Sequence, residues 1–219
     1  MVDLLTSFVD PPKALELAIG TGRIALPLSA KGVAVTGIDA SFEMVAKLKA
    51  KAGGEAIEVV IGDMPDVDVD DSFPLIYLAF NTIFALLTQE RQVECFRNVS
   101  SHLDPGGRFV IDCFVPDLKR YDSNNTRMGV SSINSNTEHV YEMSIHHLDT
   151  QRITSHVVKR QGSGKTHVLP IEIRYAWPSE LDLMAQLSGL ELEDRWGWYD
   201  RRRFTESSGQ YVSVYRKPF

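Results

Sequence analysis

The sequence predicts an α/β fold: a doubly wound, mostly parallel sheet with a final antiparallel hairpin strand and an inserted antiparallel β subdomain. Three observations predict it. Short apolar runs alternate with amphipathic stretches through the first half of the chain. A polar, β-rich stretch at about residues 121–175 interrupts that alternation, and one more helical pattern followed by two strand-like runs closes the chain. At 219 residues the length suits one such domain, residues 1–219, with a full core.

The elements follow in order. Lys13–Ile19 (KALELAI) is an apolar run ending at glycines and reads as strand one. RIALPLSAKG reads as a helix whose early turns are constrained by Pro27. VAVTGID is strand two, and Ser41 stands where it can cap the helix FEMVAKLKAK. AIEVVIGD and FPLIYLAFN are strands three and four. Thr88 can cap the amphipathic stretch QERQVECFRNVSSHL, which DPGG is expected to stop before strand five, RFVIDCF. In the insert, SNNTRMGVSSINSNT reads as loop, and EHVYEMSIHHL, RITSHVVKRQ and THVLPIEIRYAW read as three strands. PSELDLMAQLSG gives a last helix, with Ser179 and Asp182 in capping-box spacing and Gly189 as its stop. LELEDRWGWY and QYVSVYRK then pair as a hairpin at the sheet edge.

Composition narrows the function classes. With 43% hydrophobic and 24% charged residues the chain is an ordinary self-folding globular protein. A net charge of −6 argues against nucleic acid as a partner, despite the short basic run Arg201–Arg203. No apolar run approaches eighteen residues and the start has no basic-then-apolar leader, so no membrane partner is expected. Cys95 and Cys113 have no metal-ligand spacing and read as buried thiols of a cytoplasmic protein.

The motif that carries chemistry is LELAIGTGR, Leu15–Arg23, followed by TGIDAS. Gly20, Gly22 and Ala25 satisfy a dinucleotide fingerprint, and Asp39 lies near the distance at which an acid would hold a ribose hydroxyl. Glu16 speaks against a dinucleotide, because a pyrophosphate at this loop would lie near its carboxylate. A nucleoside bearing an ammonium and no phosphate would be attracted instead. S-adenosylmethionine has that ammonium, a sulfonium, a ribose diol and an adenine. Glu16 and the glycine loop, Asp39, and Gly62–Met64 (GDM) offer one partner each for the amino-acid end, the diol and the base.

LELAIGTGR, GIDAS, IGDM, LAFNTIFAL and HLDPGGRFVIDCF together resemble the successive motifs of the class I S-adenosylmethionine-dependent methyltransferases, in that family's order. The closing stretch from WPSELDL to YRKP is similar to the last helix and hairpin of its small-molecule branch. The resemblance implies a Rossmann-like sheet and S-adenosylmethionine as cofactor. It implies that Glu16, Ala18, Gly20 and Gly22 line the methionine end and that Asp39 accepts from both ribose hydroxyls. Ala40 and Met44 would pack beside the base, Asp63 would accept from the adenine amino group, and Met64 would lie against the ring. Ala79, Phe80 and Asn81 would place backbone carbonyls and the Asn81 side chain near the methyl group. As plain structure, Asp39 and Asp63 could be turn formers, and Met44 and Met64 core residues.

The expected reaction is an in-line transfer of an activated methyl group to a small-molecule acceptor on nitrogen or oxygen, a step that needs chiefly alignment. A base is required only for some acceptors, and no catalytic residue is assigned. Acceptor contacts are expected from the insert (Tyr141, His146, Tyr175) and from the late loop (Tyr199), and a homodimer through the insert is a further expectation. Two alternatives stay open: a cofactor-binding regulatory or scaffolding relative without turnover, and an NAD-dependent oxidoreductase. About a dozen residues precede strand one, where family members carry helices that cover the cofactor; an open pocket, cover from the insert or a second subunit, or a longer natural chain would each account for that. QGSGKT lacks the first glycine of a phosphate-binding loop and reads as a hairpin turn. The adjacent His146 and His147 point to opposite faces of a strand, so with His156 they make no metal site.

Overall fold

A computed structural model of the chain describes residues 1–134, 138–161 and 164–219. Residues 135–137, the end of the stretch SNNTRMGVSSINSNT expected as loop, and 162–163, at the tip of the QGSGKT turn, lie outside the described residues. By contacts the chain forms two compact units: Met1–Ile83, Glu90–Val115 and Pro178–Phe219 make one, Phe84–Gln89 and Pro116–Trp177 the other.

The first unit is a seven-stranded sheet with covering helices. Its strands are β1 (Lys13–Leu17), β2 (Ala34–Asp39), β3 (Glu58–Ile61), β4 (Phe73–Leu78), β5 (Leu103–Phe114), β10 (Glu191–Trp196) and β11 (Gln210–Arg216). They lie in the order β10-β11-β5-β4-β1-β2-β3. Strands β1 to β5 pair in parallel, and β11 joins β5 antiparallel and carries β10 as the expected hairpin. All six residues of β4 are buried, as a strand covered by helices on both faces requires. The helices are α1 (Val2–Thr6), α2 (Ala25–Ser29), α3 (Phe42–Lys49), α4 (Gln89–His102) and α5 (Pro178–Leu187). Ser41 caps α3 by accepting from the Met44 N–H at 3.3 Å. Phe96 meets the rings of Phe109 and Tyr215 edge-on, at 5.3 and 5.7 Å, and fixes α4 to the sheet.

Ahead of β1, where no element was assigned from sequence, α1 forms and buries Leu4 and Leu5 in the core beside Leu28 and Val33. One local reading is corrected. DPGG does not separate α4 from the fifth strand: β5 begins at Leu103 and contains it. Gly106 takes a left-handed conformation (φ 78°). Its N–H donates to the Lys217 carbonyl, while the Lys217 N–H returns to Gly107, both at 2.9 Å, so the turn is stapled to the chain end.

The second unit is a four-stranded antiparallel meander, β6 (Thr126–Asn134), β7 (Glu138–His147), β8 (Arg152–Gln161) and β9 (Thr166–Arg174), in sequence order. Three of these strands were expected. The fourth, β6, occupies the segment read as loop. Its Ser- and Asn-rich composition hides an edge strand that pairs with β7 from Thr126↔Ile145 to Asn134↔Glu138. No helix of the described residues is long and apolar enough to cross a membrane.

Candidate functional site

The order of strand addition reverses beside β1: β2 and β3 extend the sheet to one side of it, β4 and β5 to the other. Open parallel sheets bind ligands at the carboxyl ends of the strands flanking such a point. The glycine loop follows β1, Asp39 ends β2, Asp63 follows β3, Ala79–Asn81 follow β4 and Asp112 sits near the end of β5. All belong to the first unit.

The loop turns through three left-handed residues, Ala18 (φ 52°), Gly20 (φ 56°) and Gly22 (φ 73°). At Gly22 a Cβ would come within 2.2 Å of the Leu48 side chain of α3, so packing as well as φ demands glycine there. The Gly20 N–H donates to Asp39 Oδ2 at 2.6 Å, and the Ser41 N–H donates to Oδ1 at 2.8 Å. Asp39, 9% exposed, thus holds the loop and the start of α3 in one position. Ala40 is exposed, and Met44, 41% exposed, leans over Gly20 and leaves an open apolar surface beside Asp39.

Glu16 lies beneath this loop and is 4% exposed. Its Oε2 accepts from the Tyr77 hydroxyl at 2.9 Å. Burial pushes its carboxyl up to about 8, against the smaller opposing pull of the Tyr77 and Ala25 hydrogen bonds. This is a buried acid whose side-chain partner is a neutral phenol. A cation in the loop would complete it.

At the end of β3 the Gly62 N–H donates to the Asp39 carbonyl at 3.0 Å, which brings Asp63 beside Asp39. Asp63 is exposed and its Oδ2 accepts from Arg91 at 3.1 Å, as do Asp66 at 2.5 Å and Glu94 at 2.7 Å. Met64 is 7% exposed and packs as a core residue, with its carbonyl bound by Asn98 at 2.8 Å.

After β4, Ala79 is buried, and Phe80 (φ 61°, 45% exposed) and Asn81 (φ 60°) are both left-handed. The Asn81 side chain turns toward β5, where its Oδ1 accepts from the Phe114 N–H. Arg23 of the glycine loop stacks over the Phe80 ring at 4.8 Å. Asp112 Oδ1 accepts from the Phe80 N–H at 2.9 Å and from the Tyr199 hydroxyl at 2.6 Å. Burial pushes the Asp112 carboxyl up, opposed by those hydrogen bonds. Tyr199, expected as an acceptor contact, is 8% exposed and spends its hydroxyl on Asp112. Asp112 and Tyr77 were not singled out in the sequence. The signal available was one polar group inside each of two apolar runs, RFVIDCF and FPLIYL.

In the second unit, His146 Nε2 and the Tyr175 hydroxyl meet at 2.8 Å, with exposures of 3% and 2%. The Tyr121 ring lies 5.1 Å from His146. Burial pushes the His146 imidazole down, as does His147. Tyr141 points to the other face of β7, with Met143 and Ile145, so it does not join this pair. A cavity of about 550 Å³ opens on the sheet between Arg120, Arg127, Met128, Met143 and His156.

Known proteins share this fold. Residues 14–107 match the family model described as a methyltransferase domain. The cypemycin N-terminal methyltransferase of Streptomyces sp is 26% identical over 94% of this chain and 83% of its own. Among solved structures, the CcbJ methyltransferase of Streptomyces caelestis superposes with a TM-score of 0.92 at 34% identity, over 100% of this chain and 88% of that one. An S-adenosylmethionine-dependent methyltransferase of Clostridium acetobutylicum superposes with a TM-score of 0.84 at 16% identity, over 100% and 91%.

Proposed function

The chain belongs to the class I S-adenosylmethionine-dependent methyltransferases, and from that premise we propose that it methylates an amine nitrogen of a small-molecule acceptor. The observation that carries the cofactor side is Glu16, a carboxyl 4% exposed beneath a left-handed glycine loop. A pyrophosphate would be repelled there once Glu16 ionised, and an α-ammonium would be held. The family itself sets the oxidoreductase reading aside. Asp39, Ala40 and Met44 receive the ribose and one face of the base, Asp63 with Arg91 behind it receives the adenine amino group, and Met64 supports it from the core. Ala18, Gly20, Gly22, Ala79, Phe80 and Asn81 line the methionine and methyl end.

Nitrogen is favoured on the acceptor side by one relative and one chemical argument. The cypemycin enzyme, similar along most of this chain, is named for N-terminal methylation. An amine that arrives neutral needs alignment with the sulfonium and no base. The insert supplies acceptor recognition in this reading, with the buried His146–Tyr175 pair as its polar centre. The face of β6 and β7 that exposes Met128, Val130, Tyr141, Met143 and Ile145 joins two copies. Incubation with methyl-labelled cofactor and matched panels of small amines, alcohols and phenols tests the acceptor. Label transferred to amines supports the reading, and label transferred only to hydroxyl compounds sinks it.

A further inference from the structure

Phe80 and Asn81 are consecutive non-glycine residues held in the left-handed region. L-residues avoid that region, and a pair of them persists only where the surroundings over-determine it. Here one residue does most of the holding. Asp112 takes the Phe80 N–H on its carboxylate at 2.9 Å and the Asn81 N–H on its backbone carbonyl at 3.3 Å. The Tyr199 hydroxyl, from the loop between β10 and β11, donates to the same carboxylate oxygen at 2.6 Å and fixes where it points. The Phe114 N–H, two residues along β5, closes the set on Asn81 Oδ1 at 2.5 Å. Asp112 and Tyr199 are 3% and 8% exposed, so water does not replace either partner when one is lost.

We propose that Asp112, oriented by Tyr199, is a positioning residue for methyl transfer: it fixes the Phe80–Asn81 turn so that the turn's polar backbone meets the sulfonium methyl of S-adenosylmethionine. This rests on the reading that the crevice between β1 and β4 takes the methionine end of the cofactor. The inference adds the closing hairpin to the catalytic apparatus, through one phenol. It also explains why a carboxylate interrupts the otherwise apolar run Phe109–Phe114 of β5. A turn serving the fold alone treats S-adenosylmethionine and S-adenosylhomocysteine alike; a turn set against the methyl distinguishes them, because the two differ only in that methyl and its charge.

The test is the ratio of the affinities for these two nucleosides, measured by calorimetry on the full chain. Asp112→Ala is expected to lower the affinity for S-adenosylmethionine relative to S-adenosylhomocysteine by about five- to tenfold, with the latter within about threefold of wild type. Asp112→Asn keeps an oxygen acceptor for both donors and should return the ratio to within about twofold. Tyr199→Phe keeps the buried ring and shifts the ratio in the same direction by less, which preserves the test if the alanine variant does not fold. Equal loss of both nucleosides, or an unchanged ratio in folded Tyr199→Phe, overturns the proposal and leaves the site reading standing. Wild-type protein that binds neither nucleoside overturns the site reading, and this proposal with it.

Discussion

Tyr77 donates its phenolic proton to Glu16 at 2.9 Å, and the two are register partners on neighbouring parallel strands, β4 and β1. Burial outweighs that hydrogen bond, which alone would lower the value, and pushes the carboxyl up to about 8. An ammonium held by Glu16 requires the ionised form. Cofactor binding therefore releases a proton, and between pH 6 and 7.5 affinity should rise about tenfold per pH unit. Calorimetry in buffers of different ionisation heat reads both the slope and the proton. Glu16→Gln should bind more weakly with a flat profile, and a flat wild-type profile would take Glu16 out of the ammonium contact.

The same burial costs stability in the free protein. Because the folded value lies above the usual 4.5, the native state keeps a proton that the unfolded chain has released. Stability then falls as pH rises from about 4.5 to about 8. At pH 7 Glu16→Gln should stabilise the free protein by about 2–3 kcal/mol, an advantage that vanishes near pH 4. Urea unfolding at the two pH values checks it. Equal stability of the two proteins at pH 7 would mean that Glu16 is ionised at no cost.

The parallel sheet was legible because its strands are short apolar runs between caps and glycines. β4 is the clearest case, with no residue facing water. The positions of the proposed cofactor residues were legible for a related reason: they sit at strand ends, where an acid or a glycine interrupts an apolar pattern. What was hidden depends on partners distant in sequence. Tyr199 reads as a loop aromatic until Asp112, 87 residues away, takes its hydroxyl. β6 is hidden because an edge strand needs little hydrophobicity, and its pairing with β7 is a tertiary fact. α1 is five residues long and rests on burial of Leu4 and Leu5, with too little periodicity to announce itself.

Asp39 anchors Gly20 and Ser41 and is the acid we propose for the ribose diol. Asp39→Ala should cost on the order of 1.5–3 kcal/mol in cofactor binding, about ten- to a hundredfold in affinity. Asp39→Asn, which still accepts from Gly20, should lose less. A dissociation constant unchanged in folded Asp39→Ala would exclude Asp39 from the site.

Ala18 carries a left-handed φ of 52° between Glu16 and Gly20, where an L-residue is strained and glycine is not. Relief of that strain outweighs the extra chain entropy of glycine, so Ala18→Gly should stabilise the protein by about 0.5–1 kcal/mol. Denaturant midpoints at constant slope measure it. A loss of stability would show that contacts of the Ala18 methyl outweigh the backbone term.

The exposed apolar face of β6 and β7 makes the last prediction. Register pairs Met128 with Met143 and Val130 with Tyr141, and Ile145 lies opposite Thr126, so these side chains share one face of β6 and β7. Met128 is 79% exposed, Val130 55% and Ile145 50%, a continuous apolar strip of a kind that soluble monomers rarely leave uncovered. A second copy offers the same strip in matching form, and two-fold pairing of like surfaces is the commonest symmetric assembly. Light scattering should find a dimer at micromolar concentration for wild type. Met143→Lys with Ile145→Lys should give a monomer that still binds S-adenosylhomocysteine, since both substitutions lie in the second unit, whereas Glu16 and Asp39 belong to the first. A wild-type monomer at high concentration, or a dimer that survives two buried lysines, removes this face as the contact.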